Sequence, residues 1–166
     1  KIAQPMGVTV WRKGVLISAA PDLIYAEDTN GDGRADVVQK LFTGFSVENP
    51  QARLNSLAVG LDGWFQGGCM FVGKIRNSHG REFEIGNRDF RLQPDLGEID
   101  AESGQTENAR VRDDWGNWFG CENGVLCLHF PLSDRYLRRN PHVVPPQLAV
   151  YVPTAAAAQL YPRGKL

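Results

Sequence analysis

Asp28, Asn30, Asp32 and Asp36 occupy the first, third, fifth and ninth positions of the run Asp-Thr-Asn-Gly-Asp-Gly-Arg-Ala-Asp. Carboxylates and an amide at alternate positions around a glycine turn present oxygens to one point, which is how a chain wraps a hard cation such as calcium. The seventh residue, Arg34, would add its backbone carbonyl. An EF-hand closes such a loop with a bidentate Glu at its twelfth position; here that position is Gln39, and no amphipathic helix flanks the loop. The expectation is a structural calcium ion held by Asp28, Asn30, Asp32, Arg34 and Asp36, against the plainer alternative of a solvated Asn-Gly and Asp-Gly turn.

Composition bounds what else the chain can do. Its 166 residues are 42% hydrophobic, enough for the core of one ordinary domain. A formal charge of -1, with Arg135, Arg138 and Arg139 as the only basic cluster, argues against a nucleic-acid partner, because phosphate binding draws on a basic surface. No run reaches the roughly 18 apolar residues of a membrane span, so no direct membrane insertion is expected. Neither does the start at Lys1 carry a signal-peptide pattern, and a processed product or excised fragment is the expectation. Cys69, Cys121 and Cys127 match no zinc or C-x-x-C spacing; buried thiols are expected, with a Cys121 to Cys127 disulfide open to an oxidising compartment. A calcium loop points to such a compartment, since weak sites of roughly 0.1 to 1 mM affinity fill only outside the cytosol.

The elements that must position these groups are strands. Eighteen glycines and ten prolines punctuate short apolar runs, and no segment keeps a helical period over eleven residues. Strands are predicted over 8–11, 15–19, 23–27, 37–42, 56–59 and 64–67, then over 73–76, 81–85, 89–92, 97–102, 117–121 and 126–130. Turn signals recur between them at the spacing of sandwiches, barrels and propellers. Gly63-Trp64-Phe65 recurs as Asn117-Trp118-Phe119, 54 positions later, and Leu23-Ile24-Tyr25 stands 39 positions before Trp64. Units of about 40 to 50 residues with strand-forming aromatics read as propeller blades, with a jelly roll or sandwich as the alternative. The fold class expected is therefore all-β: about three blades of a larger β-propeller over residues 1–152. Residues 153–166, with Ala155 to Ala158 after a proline-rich stretch, would be a linker or the start of the next blade.

Four segments carry a resemblance: Asp28 to Asp36, Arg88 to Thr106, Asp113-Asp-Trp-Gly-Asn-Trp-Phe-Gly120, and Asp134-Arg-Tyr-Leu-Arg-Arg-Asn-Pro-His142. Together they resemble the PVC-type membrane-bound dehydrogenase family from about Gly7 to His142. What the resemblance implies is a secreted or periplasmic six- or seven-bladed propeller, similar to soluble sugar and sorbosone dehydrogenases that use pyrroloquinoline quinone. In that family a c-type haem domain commonly follows the propeller; this chain has no C-x-x-C-H of its own.

Such an oxidoreductase needs a base for the hydroxyl proton, a donor over the quinone oxygens and polar groups to orient a sugar or alcohol. His129, in the strand-like Leu-Cys-Leu-His-Phe, and Arg53 are the catalytic candidates, and Asn55, Asn117 and Asp114 the cofactor-binding ones. Asp113, Asp114, Trp115 and Asn117 also form the densest polar and aromatic group, suited to a sugar ring stacked on indole. The competing expectation is that Trp115 and Trp118 pack between blades while Asp114 caps a turn. For Arg88, Asp89, Arg91, Asp95 and Glu98, cross-strand ion pairs on a wet hairpin face suffice. A non-catalytic, calcium-stabilised module that binds glycans or protein partners is the second functional reading, and a lactonase-like hydrolase the third.

Overall fold

Period-two alternation of β-branched and aromatic residues builds the first strands: β1 (Gly7–Trp11), β2 (Gly14–Ala19), β3 (Asp22–Glu27) and β4 (Val37–Thr43) pair antiparallel in chain order. The computed structural model describes residues 2–69, 74–108, 110–140, 142 and 147–152. After β5 (Leu57–Val59) and β6 (Phe65–Gly67), the hairpin β7 (Lys74–Asn77) and β8 (Glu82–Glu84) adds to the β4 edge of the first sheet. The second sheet, in the order β10-β9-β6-β5, is completed by β9 (Asp89–Gln93) and β10 (Glu98–Glu102). A third follows as β11 (Val111–Arg112), β12 (Trp118–Glu122), β13 (Val125–Phe130) and β14 (Val150–Tyr151), with the single-turn helix α1 (Asp134–Leu137) between its last two strands. The fold is all-β, in three antiparallel sheets, none of which closes on itself.

Every predicted strand forms to within a residue or two, although the predicted start at Gly73 lies outside the described residues, as does the whole 153–166 segment. The elements missed, β11, β14 and α1, are too short to show a period. One alignment of repeats is corrected. Trp64 immediately precedes and Trp118 opens the second strand of a sheet, but Leu23-Ile24-Tyr25 lies in β3, the third strand of its own, so it is not their equivalent.

The two junctions between sheets differ in kind. Leu16, Leu23 and Tyr25 of the first sheet meet Leu57, Phe65, Phe90, Leu92 and Ile99 of the second in a dry core. Because side chains alternate along a strand, the same register turns Gln66, Arg91, Asp89, Asp100 and Glu102 to the opposite face of the second sheet. The hairpin reading expects a wet face, but Asp89 is 0% and Arg91 7% exposed: Asp89 lies against Arg110 and Thr106, and the Arg91 guanidinium lies 4.2 Å from the Trp64 ring.

The outer face of the first sheet leaves three valines open to solvent. Register aligns Val8 with Ile17 and Ile24, and Val10 with Val15, Ala26 and Val38. Val8, Val10 and Val38 are 63%, 77% and 60% exposed.

Candidate functional site

The Asp28 loop connects β3 to β4, and its conformation is written by its own side chains. Asp28 Oδ1 accepts the Gly31 N–H at 2.7 Å and Asp28 Oδ2 the Gly33 N–H at 2.8 Å. Gly31 and Gly33 have φ of 81° and 83°, the left-handed backbone that lets successive N–H groups turn toward one carboxylate. Asn30 Oδ1 accepts from Asp32 N, and Asp32 Oδ1 from Arg34 N. Asp36 returns across the loop, taking both the Thr29 N–H and the Thr29 hydroxyl at 2.8 Å. The Gly33 and Gly31 N–H groups hold the Asp28 carboxyl below the usual carboxylate range, and the Thr29 N–H and hydroxyl do the same for Asp36. The donor set is all oxygen and anionic at neutral pH, which suits a hard cation. Among the described residues, no three His, Cys, Asp or Glu side chains are drawn together as a metal cage.

A folded-state carboxylate pKa below its unfolded value contributes stability above the unfolded pKa and loses it as pH falls through the folded one. Acid should therefore loosen this loop first. We expect the Gly31 and Gly33 amides to lose hydrogen-exchange protection as Asp28 protonates, before the strand amides of β2 and β3 respond; simultaneous loss in both would contradict the assignment.

A second polar constellation lies between the second and third sheets. Arg110, 2% exposed, donates from Nε to Asp89 Oδ2 at 2.8 Å and from Nη1 to Gln66 Oε1 at 3.0 Å, with its guanidinium 3.9 Å above the Phe130 ring. Asp89 also accepts the Thr106 N–H and hydroxyl. Burial pushes the Asp89 carboxyl up, against the pull of Arg110 and Thr106. The Thr106 loop lies so close on β12 that a Cβ at Gly120 would stand 2.3 Å from Thr106 Cγ2. Nearby, Glu102 accepts the Ser133 hydroxyl and the Asp134 N–H, satisfying the start of α1. Asp134 in turn accepts from Ser103 and Arg88, and Arg138 reaches both oxygens of Asp100 at 2.9 Å. Beside this network opens a groove of about 670 Å³, with Arg88, Gln105 and Arg138 at its polar wall and Leu128, Phe130 and Leu148 at its apolar one.

None of the candidates for redox chemistry lines that groove, and only Asp114 and Asn117 share one turn. Arg53 sits in the loop before β5, donating to the Val47 carbonyl and to Gln4. Asn55, 7% exposed, donates to the Glu107 carbonyl while its Oδ1 is buried without a partner. His129 stacks on Phe119 at 5.0 Å, its Nε2 buried and unpartnered. Asn117 is a turn residue: Asp113 accepts its N–H, its side-chain amide and the Trp115 N–H. The turn is therefore capped by Asp113, with Asp114 exposed, and Trp115 is 84% exposed instead of packing between sheets.

Sequence reasoning missed Arg110 and the burial of Asp89. Their signal was an arginine between two short strands, which a single sequence does not distinguish from a surface charge. Among the described residues, no helix is long and apolar enough to cross a membrane. No curated protein and no solved structure matches this chain. One family does match, over residues 1–165, described as a domain of unknown function, DUF7133. With that match running across both sheet junctions and the Asp28 loop, the chain belongs to the DUF7133 family.

Proposed function

We propose that this chain forms three successive blades of a larger, six- or seven-bladed β-propeller in a periplasmic or secreted quinone-dependent sugar or alcohol dehydrogenase-like protein. The observation that carries the propeller reading is the exposure of Val8, Val10 and Val38 on the outer face of the first, six-stranded antiparallel sheet, whose opposite face already packs on the four-stranded second sheet. A sheet apolar on both faces calls for a neighbour on each, and propellers of four to eight blades supply one. The Asp28 loop then serves as a calcium staple between β3 and β4, with Asp28, Asn30, Asp32, the Arg34 carbonyl and Asp36 as its oxygen donors.

The oxidoreductase part rests on the resemblance of the four segments. Among the described residues, Arg53, Asn55, Asp114, Asn117 and His129 do not line the groove beside the Arg110–Asp89 network. A channel enclosed by further blades would be needed to complete any cofactor site, with a c-type haem domain as the expected electron-accepting partner in the complete protein.

One observation favours the second reading, a non-catalytic calcium-stabilised module for glycans or protein partners. Trp115 projects from a turn fixed by Asp113, beside Leu61, which is 72% exposed. The discriminating experiment adds pyrroloquinoline quinone and calcium to the complete protein and follows dye reduction with a panel of aldoses and alcohols. Reduction that depends on the quinone is expected; no reduction and no quinone binding would leave the second reading. The 166-residue chain alone should show no turnover.

A further inference from the structure

We propose that Cys121 and Cys127 are a redox-active thiol pair that closes to an intrachain disulfide across β12 and β13. The register brings them together. An Asn123-Gly124 turn pairs Glu122 with Val125, and a regular ladder from there would set Cys121 against Leu126. Instead the register shifts, so that Gly120 pairs with Leu128. One extra residue in β13 leaves Leu126 and Cys127 both opposite Cys121.

Counted from the Gly120–Leu128 pair, Cys121 and Cys127 are the next two facing residues and lie on the side opposite to Gly120 and Leu128. Directly opposed residues in an antiparallel pair hold their Cβ atoms about 4.5–5.5 Å apart, and a disulfide asks for about 3.5–4.5 Å. A bulge, already irregular, can absorb that difference.

Access separates this pair from the third cysteine. Cys121 and Cys127 are half-buried thiols at the exposed end of the hairpin, whereas Cys69 is fully buried and burial pushes its thiol up to about 12. The backbone on either side is anchored: the Cys121 carbonyl accepts the Glu107 N–H at 3.1 Å and the Cys127 carbonyl the Val152 N–H at 3.1 Å. A bond between the sulfurs would tie the third sheet through its middle strands, two residues from His129.

The chemistry is thiol–disulfide exchange with a disulfide oxidant, such as an oxidoreductase of an oxidising compartment or glutathione disulfide in the test. One cysteine thiolate attacks a glutathione sulfur, forming a mixed disulfide and releasing one glutathione thiolate. The second thiolate attacks the protein sulfur of that mixed disulfide, forming the Cys121–Cys127 bond and releasing the second glutathione. Two protein thiols are oxidised, one glutathione disulfide is reduced, and both protons leave on the glutathione thiols.

The test is alkylation and mass spectrometry of the folded chain after incubation with graded glutathione disulfide. No Lys or Arg lies between Asp113 and Arg135, so trypsin leaves both cysteines on one peptide. The expected result is a 113–135 peptide about 2 Da lighter than its reduced form that takes no alkylating agent and reopens with dithiothreitol. In Cys121→Ser and, separately, Cys127→Ser, the remaining thiol should stop at the glutathione adduct. A wild-type peptide that takes two alkyl groups, that carries stable glutathione, or that links two copies of the chain would overturn the proposal.

Discussion

Arg110→Met should lower the unfolding free energy by about 3–5 kcal/mol, because it leaves the Asp89 carboxylate buried without its cation. Asp89 is 0% exposed, and the two groups lie 2.8 Å apart between the second and third sheets. The loss would be a large share of a domain's usual 5–15 kcal/mol. The ion pair itself need not stabilise, since burial alone pushes the Asp89 carboxyl upward against Arg110. The double substitution Asp89→Leu with Arg110→Met should therefore recover most of the loss, as apolar replacements of buried pairs often do. Urea unfolding of the wild type, both singles and the double closes the cycle. A single-variant cost below about 1 kcal/mol would place the guanidinium in water instead of between sheets.

Phe90→Ala should cost a comparable 3–5 kcal/mol by a different route, a cavity in the dry junction of the first two sheets. Phe90 is 0% exposed, packs 5.4 Å from Phe45, and its ring fills the space over Gly67. The neighbouring Asp89 faces the other way, so the effects of Phe90→Ala and Arg110→Met should add to within about 0.5 kcal/mol. The same urea series measures this. Strong non-additivity would mean the two junctions unfold as one unit that relaxes around either lesion.

Much of the architecture was legible locally. β-Branched alternation with glycine turns located the strands, and Pro94 to Gly97 form the expected hairpin turn, with the Gly97 N–H on the Pro94 carbonyl. The Asp28 loop lies between β3 and β4, as its flanking apolar runs indicate. What the chain concealed was nonlocal. Asp89 and Arg91 alternate with apolar residues just as a solvated strand does, and they are buried by residues distant in sequence, Arg110 and Thr106 on Asp89 and Trp64 on Arg91. Glu102 looked like one acid among several, yet its carboxylate meets the start of a helix 32 positions further on. Trp115 erred in the other direction: an indole ordinarily implies packing, but Asp113 fixes the turn that holds it outward.

The propeller reading stands or falls on what covers Val8, Val10 and Val38. A density map of the complete protein is the direct measurement. A further four-stranded antiparallel sheet seated on that face, within a ring of six or seven, is the predicted result. A face covered by a helix, or left to solvent beside an isolated three-sheet stack, would contradict it.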